Sequence, residues 1–428
     1  MKRLAYQYLI NWKTNPAKKP LVIRGARQVG KTWLMKHFGK NEYDDTVYVN
    51  FEESTHLRSL FQENFNVERI LTALQVETGK KIIPGKTLLI LDEIQEAPGG
   101  LTALKYFNES PLELDVMVAG SYLGMSLGSF PVGKVEFLDL YPMNFAEFLM
   151  ALGDENLLDL ILQEKWDLVK MFKDKYVERL MHYYITGGMP EVVKTYSEQK
   201  DFTRVRKIQK DILLSYELDF GKHAPVDILP RIRMVWDAIP SQLAKENKKF
   251  IFGHIKKGAR TKDFEKALQW LVNSGLIHKV YRISKPALPL KSYADAKAFK
   301  VFLNDTGLLG AMAGLDVKII LEESKIFTEF KGAFTEQYVM QQLKPCFTPY
   351  YWASENASEI DFVVQSENRV MAIEVKAKEN LKSKSLRFFC RKYHPDKCIR
   401  LSLSDYRKED WMVNIPLYAV PSICYNPY

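Results

Sequence analysis

LVIRGARQVGKTWL, residues 21–34, decides the architecture of the first third of the chain. Leu21-Val22-Ile23-Arg24 is an apolar run of strand length, Gly25 to Thr32 reads G-x-x-x-x-G-K-T, and the residues that follow form a helical stretch ending at Phe38-Gly39. Strand, glycine loop and helix in that order build a phosphate cradle. The glycines let the loop turn tightly, and its amides then point at an anion at the positive end of the helix. The expected nucleotide-binding residues are Gly25, Ala26, Arg27, Gln28, Val29, Gly30, Lys31 and Thr32. Lys31 is expected to reach the β and γ phosphates of ATP, and the Thr32 hydroxyl to ligate Mg²⁺. A chance match in a chain of this length is on the order of one per cent.

A phosphate loop of this kind needs a second magnesium ligand on a neighbouring strand. Thr87-Leu88-Leu89-Ile90-Leu91-Asp92-Glu93 supplies one, because a continuous apolar run marks a strand covered on both faces and two acids stand at its end. Asp92 is the expected metal ligand and Glu93 the group that polarises the attacking water. Residues 46–51, 114–119 and 135–140 read as further strands, with Val67, Ile70, Leu71 and Leu74 at helical spacing between them. Ser121, just past the strand 114–119, is placed either to sense the γ-phosphate or to cap a helix.

Bulk properties fit an ordinary globular protein of several domains: 428 residues, 46% hydrophobic and 26% charged. No apolar stretch approaches the roughly 20 residues that span a bilayer, and the start MKRLAYQYLINWK lacks a cleavage site, so a cytoplasmic location without membrane contact is expected. Cys346, Cys390, Cys398 and Cys424 form no CxxC pair and lack histidines at zinc spacing, which predicts reduced core thiols. The net charge of +9 is concentrated: residues 241–300 hold 14 Lys and Arg against 4 Asp and Glu. Such a block suggests an anionic partner such as DNA, its bland alternative being a solvated lysine face.

Between these regions, residues 154–184 carry apolar positions at helical spacing, as a lid over the nucleotide or a plain helical linker would. Gly187-Gly188-Met189-Pro190 then reads as a hinge. Thr261 opens an amphipathic helix with Phe264, Ala267, Leu268, Leu271 and Val272 on one face, stopped by Asn273-Ser274-Gly275 and followed by a strand, Leu276 to Ile283. With the helical SQLAKEN, residues 241–247, ahead of it, this order of helix, helix and strand resembles a winged-helix module.

In the last quarter, EIDFVV and AIEVK alternate so that Asp361, Glu374 and Lys376 share a sheet face. Glu336 lies upstream on the helical GAFTEQYVMQQL. Helix Glu, strand Asp and strand Glu-x-Lys match the PD-(D/E)xK pattern. In that pattern Asp361 and Glu374 hold Mg²⁺, Glu336 supports a metal-bound water and Lys376 orients the nucleophile. An amphipathic hairpin is the alternative.

GARQVGKT, LLILDE, VMVAGS, LYPMNFAEFL, YYITGGMPEVV and FLNDTGLL together resemble a group of bacterial and archaeal AAA-type ATPases fused to a C-terminal domain of unknown function related to PD-(D/E)xK nucleases. The resemblance implies a five-stranded AAA-type sheet. Where some relatives carry an arginine before the LYP motif, this chain has Lys134, which leaves Arg24 and Arg27 as other sources of a transition-state arginine. The resulting expectation is an α/β chain: AAA-type P-loop core 1–150, helical lid and connector 151–225, winged-helix-like basic module 226–300 and nuclease-like domain 301–428. Two functions fit it. Nucleotide state controls DNA-directed modules, or it gates a module that binds a protein partner or a second copy of the chain and whose nuclease-like domain is inactive.

Overall fold

The computed structural model describes all residues except 121–130, 244–248, 257–259, 322–324, 355–357, 378–382 and 426–428. The chain divides into two compact units, Arg3–Tyr141 and the remainder from Pro142 onward, which includes Met1–Lys2.

The first unit is built on a parallel sheet of five strands: β1 (Leu21–Arg24), β2 (Asp45–Asn50), β3 (Thr87–Asp92), β4 (Asp115–Ala119) and β5 (Glu136–Asp139), in spatial order β2-β3-β4-β1-β5. Leu88, Leu89, Ile90 and Leu91 of β3 are wholly buried, each contributing about 1.5–3 kcal/mol by leaving water. Helices cover the sheet. Ile70, Leu71 and Leu74 of Val67–Thr78, together with Leu101, Leu104 and Phe107 of Gly100–Glu109, share one core with Val47, Val49, Leu89, Leu91, Val116 and Val118. β1 lies between β4 and β5, so its carboxyl end, where the phosphate loop begins, opens at the same edge as the carboxyl end of β3, with β4 between the two. Ligands of open parallel sheets bind at that edge.

The second unit combines helices with an eight-stranded sheet of β6 (Ile277–Ile283), β7 (Ala294–Leu303), β8 (Tyr350–Ala353), β9 (Glu359–Ser366), β10 (Arg369–Val375), β11 (Lys397–Ser402), β12 (Arg407–Lys408) and β13 (Val413–Pro416). The order is β12-β13-β11-β10-β9-β8-β6-β7. The amphipathic helix Thr261–Asn273 forms where its pattern predicts, ended by Gly275 at φ 74°. The hairpin that follows is no free wing, because β6 pairs in parallel with β8 and extends the C-terminal sheet across position 300.

Three further segments pack within this second unit. The helices Glu155–Leu162, Trp166–Met171 and Lys173–Thr186 turn apolar side chains onto this second unit: Trp166 stacks on Tyr406 at 4.2 Å and Tyr176 on Tyr418 at 4.9 Å. The Gly187–Pro190 segment is clamped rather than hinged. Met143 donates to Gly188 O at 2.7 Å, and Gly188 donates to the buried Asp305 carboxylate at 2.5 Å. Finally, the cysteines are paired, Cys346 with Cys424 and Cys390 with Cys398. Their sequence separations of 78 and 8 carry no motif, which is why pairing was invisible in the sequence. Among the described residues no helix is long and apolar enough to cross a membrane.

Candidate active site

The loop after β1 has the backbone that its glycines permit. Gly25 sits at φ 148°, and a side chain there would strike the Leu140 carbonyl, with the carbonyl carbon only 3.2 Å away. Gly30 caps the helix Lys31–Glu42 at φ 93°, a left-handed conformation open to glycine at no steric cost. The Lys31 ammonium folds back on the loop, donating to Gly25 O and Ala26 O at 2.9 Å each. Burial, outweighing attraction to Glu93 and Asp92, pulls its pKa down to about 8.

Thr32 and Asp92 converge as expected, the hydroxyl donating to Asp92 Oδ2 at 2.6 Å. Tyr48 donates to the same oxygen at 3.1 Å. Burial raises the Asp92 pKa, and the bonds from Thr32 and Tyr48 oppose that rise. Glu93 occupies a left-handed backbone position, φ 49°, and its carboxylate accepts from Gln95 Nε2 at 2.5 Å. Tyr48 and Gln95 were not singled out in the sequence. Tyr48 gave a signal only in retrospect, as a phenol at a strand position paired in register with Ile90, two residues before Asp92. A hydroxyl and a carboxylate at 2.6 Å form a fitting pair of hard oxygen donors for a magnesium ion.

Of the arginines beside the loop, Arg24 makes a two-pronged ion pair with Asp139 at 2.8 and 2.9 Å and lies over Phe137, because β1 and β5 place the two residues in register. Arg27 faces Glu52 at 3.9 Å. Lys134 pairs with Glu109 at 2.9 Å. Ser121 lies outside the described residues.

Residues 17–149 match the model of the family described as AAA domain. This part of the chain is an AAA-type P-loop ATPase domain. Residues 177–318 and 331–420 match two domains of unknown function, DUF8612 and DUF4143. Uncharacterized proteins of Mycobacterium tuberculosis and Mycobacterium bovis are each 32% identical over 80 residues, 18% of this chain. The match spans only 17% of those relatives' length. Among solved structures, the Walker-type ATPase paby2304 of Pyrococcus abyssi aligns with TM-score 0.44 at 15% identity, over 72% of this chain and 94% of that one. The Orc1 protein of Aeropyrum pernix, solved in complex with DNA, aligns with TM-score 0.29 at 13% identity, over 72% and 91%. The AAA-domain match and the Gly25–Thr32 loop with its Thr32–Asp92 pair make the chain an ATPase, a P-loop NTP hydrolase.

The lysine of the ATPase domain gives it a testable pH dependence. A lysine lowered to about 8 has lost its proton in the free folded state between about pH 8 and 10.5, whereas the unfolded chain keeps it. Fold stability therefore rises with pH across that window. Phosphate recognition needs the ammonium, so nucleotide binding above pH 8 takes up a proton. We expect ATP affinity to fall by up to about tenfold per pH unit from pH 8 upward. Calorimetric titrations in buffers of different ionisation enthalpy measure both the affinity and the proton uptake; affinity constant to pH 9.5 contradicts the expectation.

The second sequence-derived cluster assembles differently from its pattern. Glu336, Asp361, Glu374 and Lys376 do come into one region: Val375 N donates to Asp361 Oδ2 at 2.7 Å, and Lys376 Nζ lies 3.1 Å from Glu374. Two further cations share it. Lys300 of β7, only 1% exposed, ion-pairs with Glu359 and lies 3.6 Å from Glu336. Arg400 of β11, 2% exposed, is in register with Glu374. Burial opposes the Lys300 charge, yet Glu336, Glu359 and Asp361 together hold its pKa above the usual lysine value. Among the described residues, no group of three or more His, Cys, Asp or Glu is arranged to hold a metal ion.

Proposed function

We propose that ATP binds the Gly25–Thr32 loop with Mg²⁺ held by Thr32 and Asp92, and that hydrolysis governs a second unit that grips single-stranded DNA without cutting it. Lys31 draws the β and γ phosphates into the loop, Tyr48 orients Asp92, and Gln95 holds Glu93 where it can polarise the attacking water. Bound there, Mg²⁺ would offset the charge that develops on the transferred phosphoryl group.

The observation that carries the DNA reading is a groove of about 910 Å³ between the carboxyl ends of β6 and β8 and the helix Lys384–Tyr393, lined by Tyr293, Trp352, Phe388, Tyr393, Arg282 and Lys392. Phe388 is 46% exposed, an unusual position for a phenylalanine. Exposed Lys384, Arg387, Arg391 and Lys392 surround it on the same helix, and exposed Lys285, Lys291 and Lys297 come from the basic block. The exposed Phe388 and the half-buried Tyr293 and Tyr393, among cations, suit stacked bases with flanking phosphates, while Trp352 lies buried beneath them. A partner-binding role has its own support in Leu214 and Leu218, one helical turn apart and 55% and 69% exposed.

Fluorescence anisotropy with a labelled oligonucleotide, in parallel with phosphate release, tests the proposal. DNA is expected to raise ATP turnover, and Phe388→Ala to weaken DNA binding about tenfold, in line with about 1–3 kcal/mol per stacked base. Lys392→Ala is expected to reduce the salt dependence of binding. Absence of both binding and stimulation in every nucleotide state rejects the DNA reading and leaves partner binding.

A further inference from the structure

We infer that Lys300 is the resident cation of the C-terminal carboxylate cluster, its ammonium standing where a divalent ion would have to sit, so that the wild-type domain binds no metal there and cleaves no DNA. The inference deepens the non-cleaving part of the function proposed above.

A magnesium ion at a nuclease-like centre requires several carboxylate and water oxygens converging at about 2.0–2.1 Å. The carboxylates here converge on protein cations instead. Lys300 is ion-paired to Glu359 and 3.6 Å from Glu336, and Asp361 adds to the field that holds its charge. One Asp361 oxygen is taken by the Val375 amide at 2.7 Å. Glu374 faces Lys376 at 3.1 Å and shares its register with Arg400. Three cations thus answer four carboxylates, which removes most of the negative potential that recruits a divalent ion.

The placement of Lys300 is a product of the sheet. β7 is the outer strand beyond β6, and residues 298–303 are buried on both faces, so a lysine in the run AFKVFL has no route to water. An ammonium so enclosed is tolerated only if paired. Its partners come from β9 and the helix Lys325–Leu343, the same elements that present Asp361 and Glu336. The residue that stabilises this corner of the fold is therefore the one that closes it to metal.

Mn²⁺ binding followed by electron paramagnetic resonance, with the full chain and no nucleotide, tests the assignment. Wild type is expected to show no saturable site. Lys300→Met is expected to gain one, which Lys300→Met/Asp361→Asn then loses. Near-ultraviolet circular dichroism verifies folding, and Lys300→Gln, which keeps a donor for Glu359, serves if the methionine variant does not fold. Saturable Mn²⁺ binding by wild type that Asp361→Asn abolishes overturns the inference, as does a folded Lys300 variant that binds none. Failure of DNA binding would affect only the wider proposal, because metal stoichiometry is read without DNA.

Discussion

Replacing Lys31 by alanine is expected to eliminate measurable ATP binding and to lower turnover by about 10²–10³-fold, the usual cost of removing one group that meets transition-state charge. In the free state the ammonium is buried against two loop carbonyls, Gly25 O and Ala26 O, at 2.9 Å each. It is therefore held at the loop before ligand arrives, and a triphosphate has only to draw it across a short distance. Removing it exposes two questions that can be measured separately. The fold should tolerate the change, since the desolvation cost of a buried ammonium disappears along with its two hydrogen bonds, and these effects offset. Nucleotide binding should not tolerate it, because no other lysine or arginine near the loop substitutes: Arg24 is tied to Asp139 and Arg27 faces Glu52. Calorimetric titration with MgATP and phosphate release are the readouts, with thermal unfolding as the control for structure. Unchanged hydrolysis in a folded Lys31→Ala protein would remove the site from the Gly25–Thr32 loop altogether.

What the sequence revealed and what it hid follow a physical division. The cradle was readable because local rules dictate it: a strand, a glycine-bounded loop and a helix are contiguous, so spacing alone fixes their geometry. Asp92 and Glu93 were readable because a strand buried on both faces is continuous in hydrophobicity and its charged end stands out. Tyr48 and Gln95 were not, since their roles depend on which strand pairs with β3 and on how a left-handed residue at 93 turns the chain. Lys300 is the clearest case. By composition it belonged to the basic block of residues 241–300, yet its neighbours from 298 to 303 are all buried, and its partners lie 36 and 59 residues later. A charge count reports how many cations a segment has, not which of them face water. The wing of the winged-helix expectation failed to separate for a similar reason: strand periodicity is the same whether a hairpin stands free or joins a larger sheet, and only the β6–β8 pairing distinguishes the two. In the same way the lid helices were legible as helices, while the surface that receives their apolar faces was not.

Gly188→Ala is expected to destabilise the second unit by about 3 kcal/mol or more, a large effect for one added methyl group. A side chain at this position would lie 2.8 Å from the Met143 amide nitrogen and carbonyl carbon and closer still to the carbonyl oxygen, all of them backbone. Backbone cannot rotate aside as a side chain would, and here it is fixed from both directions: Met143 N donates to Gly188 O at 2.7 Å, and Met143 O accepts from Tyr183 at 2.6 Å. Gly187 is equally confined, at φ 66° with Asp305 Cγ 2.7 Å from where its side chain would begin. Asp305 accepts from the amides of Gly188 and Leu308 and from Gln341, so the glycine pair, the N-terminus of the helix Thr306–Met312 and the helix Lys325–Leu343 meet at one buried carboxylate. Asp305→Ala should therefore reproduce much of the loss, because each buried amide left without an acceptor costs about 1–3 kcal/mol. Gly221→Ala is the contrasting control: it lies in the helix Phe202–His223 with nothing within 4 Å of an added side chain, and should stabilise slightly, by up to about 1 kcal/mol. Chemical denaturation of the three variants measures the differences. A flexible hinge at Gly187–Pro190 would make Gly188→Ala nearly neutral for stability and alter only turnover; a clamp makes it costly before any nucleotide is added, and that ordering of the variants distinguishes the two.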